Sequence, residues 1–77
     1  MATMIERVKA AARKVHPMCE VEITPSNVVE VLLPEDCGLV WLATEGTMLV
    51  ADDYGSLSGA LKMTLADIRW GVRPEAR

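Results

Sequence analysis

Residues 38–51, Gly-Leu-Val-Trp-Leu-Ala-Thr-Glu-Gly-Thr-Met-Leu-Val-Ala, are the longest apolar run in the chain, and Glu45-Gly46 interrupts it near the middle. Two short apolar runs around a Gly-containing two-residue turn predict a β-hairpin. The rest of the chain has to fold around it. Strands are expected at about 39–44 and 47–51.

The preceding segments read as two more strands. In Cys19-Glu-Val-Glu-Ile-Thr24, Cys19, Val21 and Ile23 alternate with Glu20, Glu22 and Thr24, so one side is apolar and the other wet. Thr24-Pro-Ser-Asn27 is a turn, because Pro25 presets φ at its second position. Val28-Val-Glu-Val-Leu-Leu33 follows, and Pro34 closes it. The second and third strands carry apolar residues on both faces, as a central pair would.

A helix is expected on each side of these strands. In residues 3–16, Met4, Ile5, Val8, Ala11, Ala12 and Val15 recur at helical spacing. Thr3 with Glu6 completes a capping box, and Pro17 stops the helix. Ser56 or Asp53 caps a second helix that runs to about Trp70, where Gly71 ends it. Residues 73–77 read as a frayed tail. The order is α-β-β-β-β-α. It predicts an α+β two-layer sandwich, an antiparallel four-stranded meander with both helices on one face.

The 77 residues make a single domain, 1–77. An apolar content of 51% argues against disorder, and with no Phe the aliphatics and Met must fill the core. The opening Met-Ala-Thr-Met-Ile-Glu-Arg lacks a secretory apolar region, and no apolar run reaches the ~18 residues of a membrane span. Cys19 and Cys37 are then read as thiols in a cytoplasmic protein, with a Cys19–Cys37 disulfide left as the alternative that this compartment disfavours.

Charge is segregated. Arg7, Lys9, Arg13 and Lys14 make the first helix basic, whereas every charged residue from 17 to 61 is acidic. Lys62, Arg69, Arg73 and Arg77 return the C-terminal part to basic, and the net charge is −3. The bland reading is attraction between layers together with solubility. The sharper one is a charged surface that meets a partner of opposite sign.

The second helix carries two stripes. Leu57, Leu61, Leu65, Ile68 and Val72 form the core face. Gly59, Met63, Ala66 and Trp70 lie nearly opposite, where the first helix has charges. A helix that is apolar on two sides is either covered by its own chain or open to a partner. Met and Trp are favoured at contact surfaces, because Met adapts its shape and Trp buries a large area. The expected partner-binding residues are Met63, Ala66 and Trp70, then Arg7, Arg13 and Lys14.

Chemical signatures are weak throughout. His16, Cys19, Asp36 and Cys37 lack the paired spacing of a zinc site. His16 and Cys19 have no orienting third group for nucleophilic catalysis. Gly55-Ser-Leu-Ser-Gly59 is not a nucleophile elbow, since Leu57 holds its centre, and it lacks the Gly-Lys ending of a phosphate loop. Asp52 and Asp53 have no further oxygen ligands at set spacing. No enzyme, cofactor or metal is therefore expected. The basic first helix could touch phosphates, but a pI near 5.0 and the scarcity of aromatics argue against nucleic acid.

In size, in its acid-only segment 17–61, in the basic Arg7–Lys14 stretch and in the Met63/Trp70 stripe, the chain resembles the small inhibitors encoded by phages and mobile elements, anti-CRISPR proteins among them. The resemblance implies a protein that acts by occupying a surface of a larger host protein or ribonucleoprotein complex in the host cytoplasm. It carries over no functional residues. A self-complementary stripe would instead make a homodimeric accessory protein. A nucleic-acid accessory using the first helix is the remaining alternative.

Overall fold

The computed structural model describes residues 2–76. The elements are α1 (Met4–Val15), β1 (Glu20–Ile23), β2 (Val29–Leu32), β3 (Leu39–Trp41), β4 (Met48–Ala51), α2 (Leu57–Trp70) and β5 (Val72–Pro74). The α+β class and the α-β-β-β-β-α order hold, and a short fifth strand follows α2.

Local chemistry sets the helix ends. Thr3 accepts a hydrogen bond from the Glu6 N–H at 3.2 Å, and Glu6 accepts one from the Thr3 N–H at 3.4 Å, so the capping box forms. Ser56 caps α2 by accepting from the Gly59 N–H at 3.2 Å. Gly71, at φ 97°, ends α2 in a conformation that L side chains rarely adopt. The apolar spacings become the core. Val8 and Ala12 of α1 pack with Leu61, Leu65 and Ile68 of α2, and Ala60 and Thr64 widen the buried face of α2. Thr64 satisfies its buried hydroxyl by donating to the Ala60 carbonyl at 2.8 Å.

The sheet pairing departs from a four-stranded meander. β1, β2 and β4 form a three-stranded antiparallel sheet, and β3 pairs with β5 in a separate ribbon. The expected two-residue turn at Glu45-Gly46 is corrected: β3 ends at Trp41 rather than near Thr44, and a longer loop over residues 42–47 follows, closed by the Trp41 N–H donating to the Gly46 carbonyl at 2.8 Å and the Glu45 N–H to the Trp41 carbonyl at 2.7 Å. Beyond that closure the two apolar runs diverge. β4 turns back to β2 with Leu49 opposite Val31, while β3 goes to β5 with Trp41 opposite Val72. The physical reason lies in β3 itself. Val40 and Trp41 point to opposite sides of the strand, and both are buried. A place in the open sheet would leave one of them facing water. In the ribbon both are buried, Trp41 within the main core.

The expected frayed tail is therefore corrected for residues 73–75. Arg73 and Pro74 belong to β5, and the Glu75 N–H donates to the Gly38 carbonyl at 2.8 Å. Pro74 is tolerated because it sits opposite Leu39 at a position whose missing N–H is not needed by the ladder. Arg77 lies outside the described residues.

Both helices cover one face of the three-stranded sheet, where Val21, Val31 and Leu49 line up across the strands. The other face is open. It carries Glu20, Glu22 and Glu30 among Leu32, Met48 and Val50.

Candidate functional site

The core face of α2 points at the sheet and at α1, which leaves its far side to solvent. Met63, Ala66 and Trp70 all lie there: Met63 is 46% exposed, Trp70 73% exposed, and Ala66 is exposed. No other segment of the described chain covers them. Lys62 and Arg69 stand exposed along one border of this stripe. Half-buried Asp67 stands along the other, and burial raises its carboxyl above the usual carboxylate range.

Gly59 belongs to the same stripe by spacing, but the structure treats it differently. The Asp53 side chain lies so close to it that a Cβ there would overlap the carboxylate. The stripe is thus sealed at its N-terminal end and open from Met63 onward.

The loop that supplies Asp53 holds a residue that sequence reasoning passed over. Tyr54 is fully exposed and sits at φ 47°, beside Gly55 at φ 86°. The Ser56 N–H closes this turn onto the Asp53 carbonyl at 2.8 Å, and the Asn27 side-chain amide donates to the Gly55 carbonyl. An aromatic at positive φ is uncommon in a turn that Gly, Asn and Asp favour. The signal was present as Asp-Tyr-Gly, a turn dipeptide interrupted by a large side chain. It puts a fully exposed aromatic one residue from Asp53, which seals the end of the stripe.

The basic residues of α1 do not form one patch. Arg7 and Lys14 project toward α2 and, with Arg69, border a groove of about 450 Å³ between the helices. Arg13 projects to the other side. With Lys9 it borders a cleft of about 300 Å³ along β1, next to Glu20 and Glu22. Arg7, Lys14, Met63, Ala66 and Trp70 therefore share the helical layer's outer side, and Arg13 does not join them.

The residues considered for chemistry are placed as follows. Cys19 and Cys37 are free thiols, Cys19 buried and Cys37 half-buried. Burial pushes the Cys19 thiol up and Cys37 nearby adds to this, while a backbone hydrogen bond from the His16 side opposes them. A thiol held in its neutral form is a poor nucleophile. His16 accepts from the Met18 N–H on Nδ1 at 3.1 Å, which ties that nitrogen to the chain turn at Pro17. Among the described residues no three His, Cys, Asp or Glu side chains come together as a metal site. None of their helices is long and apolar enough to cross a membrane.

No protein family, curated protein or solved structure matches the chain.

Proposed function

We propose that this chain is a non-enzymatic interaction module that binds a larger protein or complex and blocks the surface it covers. The observation that carries the reading is Trp70, a large aromatic left 73% exposed in line with Met63 and Ala66 on a helix whose other side is fully used by the core. Leaving apolar area in water forgoes about 25 cal/mol for each Å². Exposed Trp and Met that lie together on one face are the composition of a contact hot spot. Tyr54 and the cations Arg7, Lys14 and Arg69 extend that surface. The resemblance in size and charge layout to small phage-encoded inhibitors supports action by occupation rather than by chemistry, in the cytoplasm of the cell that holds the target.

The test is affinity capture from the organism that carries the chain, under gentle conditions, with wild type and Trp70→Glu side by side. Wild type should retain a stoichiometric protein that Trp70→Glu loses, while the two chains give the same circular dichroism. Recovery of no stoichiometric protein, or equal recovery by both, contradicts the reading.

A further inference from the structure

The groove between α1 and α2 has an ordered chemistry. Its floor is apolar: Ala11 and Val15 from α1, Leu65 and Ile68 from α2. Ala10 and Ala11 are small, so the outer surface dips between the helices; half-buried Ala11 and Val15 give the floor its exposed apolar area, and Leu65 and Ile68, 7% and 3% exposed, close it from below. Its walls are cationic: Arg7 and Lys14 on the α1 side, Arg69 on the α2 side. No acidic side chain lines it.

From this we infer that the groove receives an acidic amphipathic helix of the partner protein. The inference deepens the proposed function and rests on it only in taking the partner to be a protein. A helix presents an apolar stripe at i, i+3 and i+4 that fits a concave apolar floor. Arg7 and Lys14 are seven residues apart on one helix, hence about 10.5 Å along its axis. A docked helix lying along α1 meets both with carboxylates seven residues apart on one flank, and meets Arg69 with a carboxylate on the other.

The other occupants fit less well. A second copy has no helix with acids at that spacing, since α1 offers only Glu6 and α2 only Asp67. Pairing the two grooves would set cation against cation. The open sheet face of a second copy mixes Glu20, Glu22 and Glu30 with Leu32, Met48 and Val50 and offers no carboxylates at the seven-residue helical spacing. Nucleic acid would satisfy the cations but would lay a charged backbone over an apolar floor.

The test uses the whole chain and a labelled synthetic helical peptide with an apolar stripe, Glu at i and i+7 on one flank and Glu between them on the other. The control peptide has Lys at the Glu positions. Fluorescence anisotropy should show binding of the Glu peptide only, weakened at higher salt. Arg7→Gln with Lys14→Gln should weaken it by about tenfold, because two ion pairs at the rim of a groove are lost. Val50→Thr should leave peptide binding unchanged, because Val50 lies on the face of the sheet away from the helices. Equal binding of the Glu and Lys peptides, or no response to the Arg7 and Lys14 changes, overturns the inference. So does duplex DNA or a phosphatidylserine-containing vesicle that binds more tightly than the Glu peptide with the same residue dependence.

The two readings fail separately. Loss of natural-partner capture in Trp70→Glu together with an inert Glu peptide leaves the proposed function standing and removes this inference. A Glu peptide that binds while Trp70→Glu captures the partner normally does the reverse.

Discussion

The β3–β5 ribbon around Trp41 and the outer face of α2 around Trp70 adjoin through Gly71, whose carbonyl accepts from the Leu42 N–H at 3.1 Å. Each holds one of the chain's two tryptophans. Trp41 is 0% exposed and Trp70 73% exposed. Size and hydrophobicity are the same, so they do not decide burial. Partnering does. Trp41 stands on a strand that packs into the core cluster, with its ladder partner Val72 and the neighbouring Leu39 packed against that cluster. Trp70 stands on a helix whose sheet and helix neighbours both lie on its other side. The fold closes the first region and has nothing left for the second.

The sharpest way to break this comparison is to remove apolar bulk from each region. Trp41→Ala should cost about 3–5 kcal/mol in denaturant unfolding, the usual penalty for emptying a fully packed aromatic site. Met63→Ala on the open stripe should cost under about 0.5 kcal/mol, as for a surface substitution. Comparable losses at the two sites would mean that α2 has no open face.

A smaller effect tests where the open stripe ends. An exposed Gly in a helix interior normally gains about 1 kcal/mol when replaced by Ala. At Gly59 the Asp53 side chain occupies the space. Gly59→Ala should therefore destabilise by about 1 kcal/mol through overpacking, and Asp53→Gly should relieve that loss, because the Asp53 Cβ alone would lie 2.9 Å from the added one. Additive behaviour of the two changes in thermal unfolding would show that Asp53 does not seal that end.

The smallest effect concerns Asp67, at the stripe's border. Its carboxyl is raised in the folded state by burial, so the folded chain holds the proton more tightly than the unfolded chain does. The folded state then loses stability as pH rises from the ordinary carboxylate value through the raised one. Asp67→Asn cannot ionise and should be slightly more stable than wild type at neutral pH, with the difference vanishing in acid. Unfolding midpoints measured across that range check it. A difference that persists in acid would assign the effect to packing instead.

What was legible in the sequence follows the range of the interactions. The capping box at Thr3 and Glu6, the stop at Pro17, the Ser56 cap and the core stripe of α2 depend on residues a few positions apart, and all are found. Helical spacing set Met63, Ala66 and Trp70 opposite the core stripe but left open whether the chain itself covers them; the structure leaves them exposed. Strand partnership is different, because it joins distant segments. Val72-Arg-Pro74 is too short to announce a strand, and Pro74 reads as an end signal, so β5 looked like a tail and β3 like the neighbour of β2. The groove was hidden for the same reason. Arg7 and Lys14 are on one helix and Arg69 on another, and only their packing separates Arg13 from the set.

The most direct test of the account is the denaturant unfolding curve of Trp70→Glu. A charge at an open face should leave the unfolding free energy within about 0.5 kcal/mol of wild type. A loss of about 3 kcal/mol or more, the scale of burying an unpaired charge, would place Trp70 in a core and contradict the claim that this face is kept open for a partner.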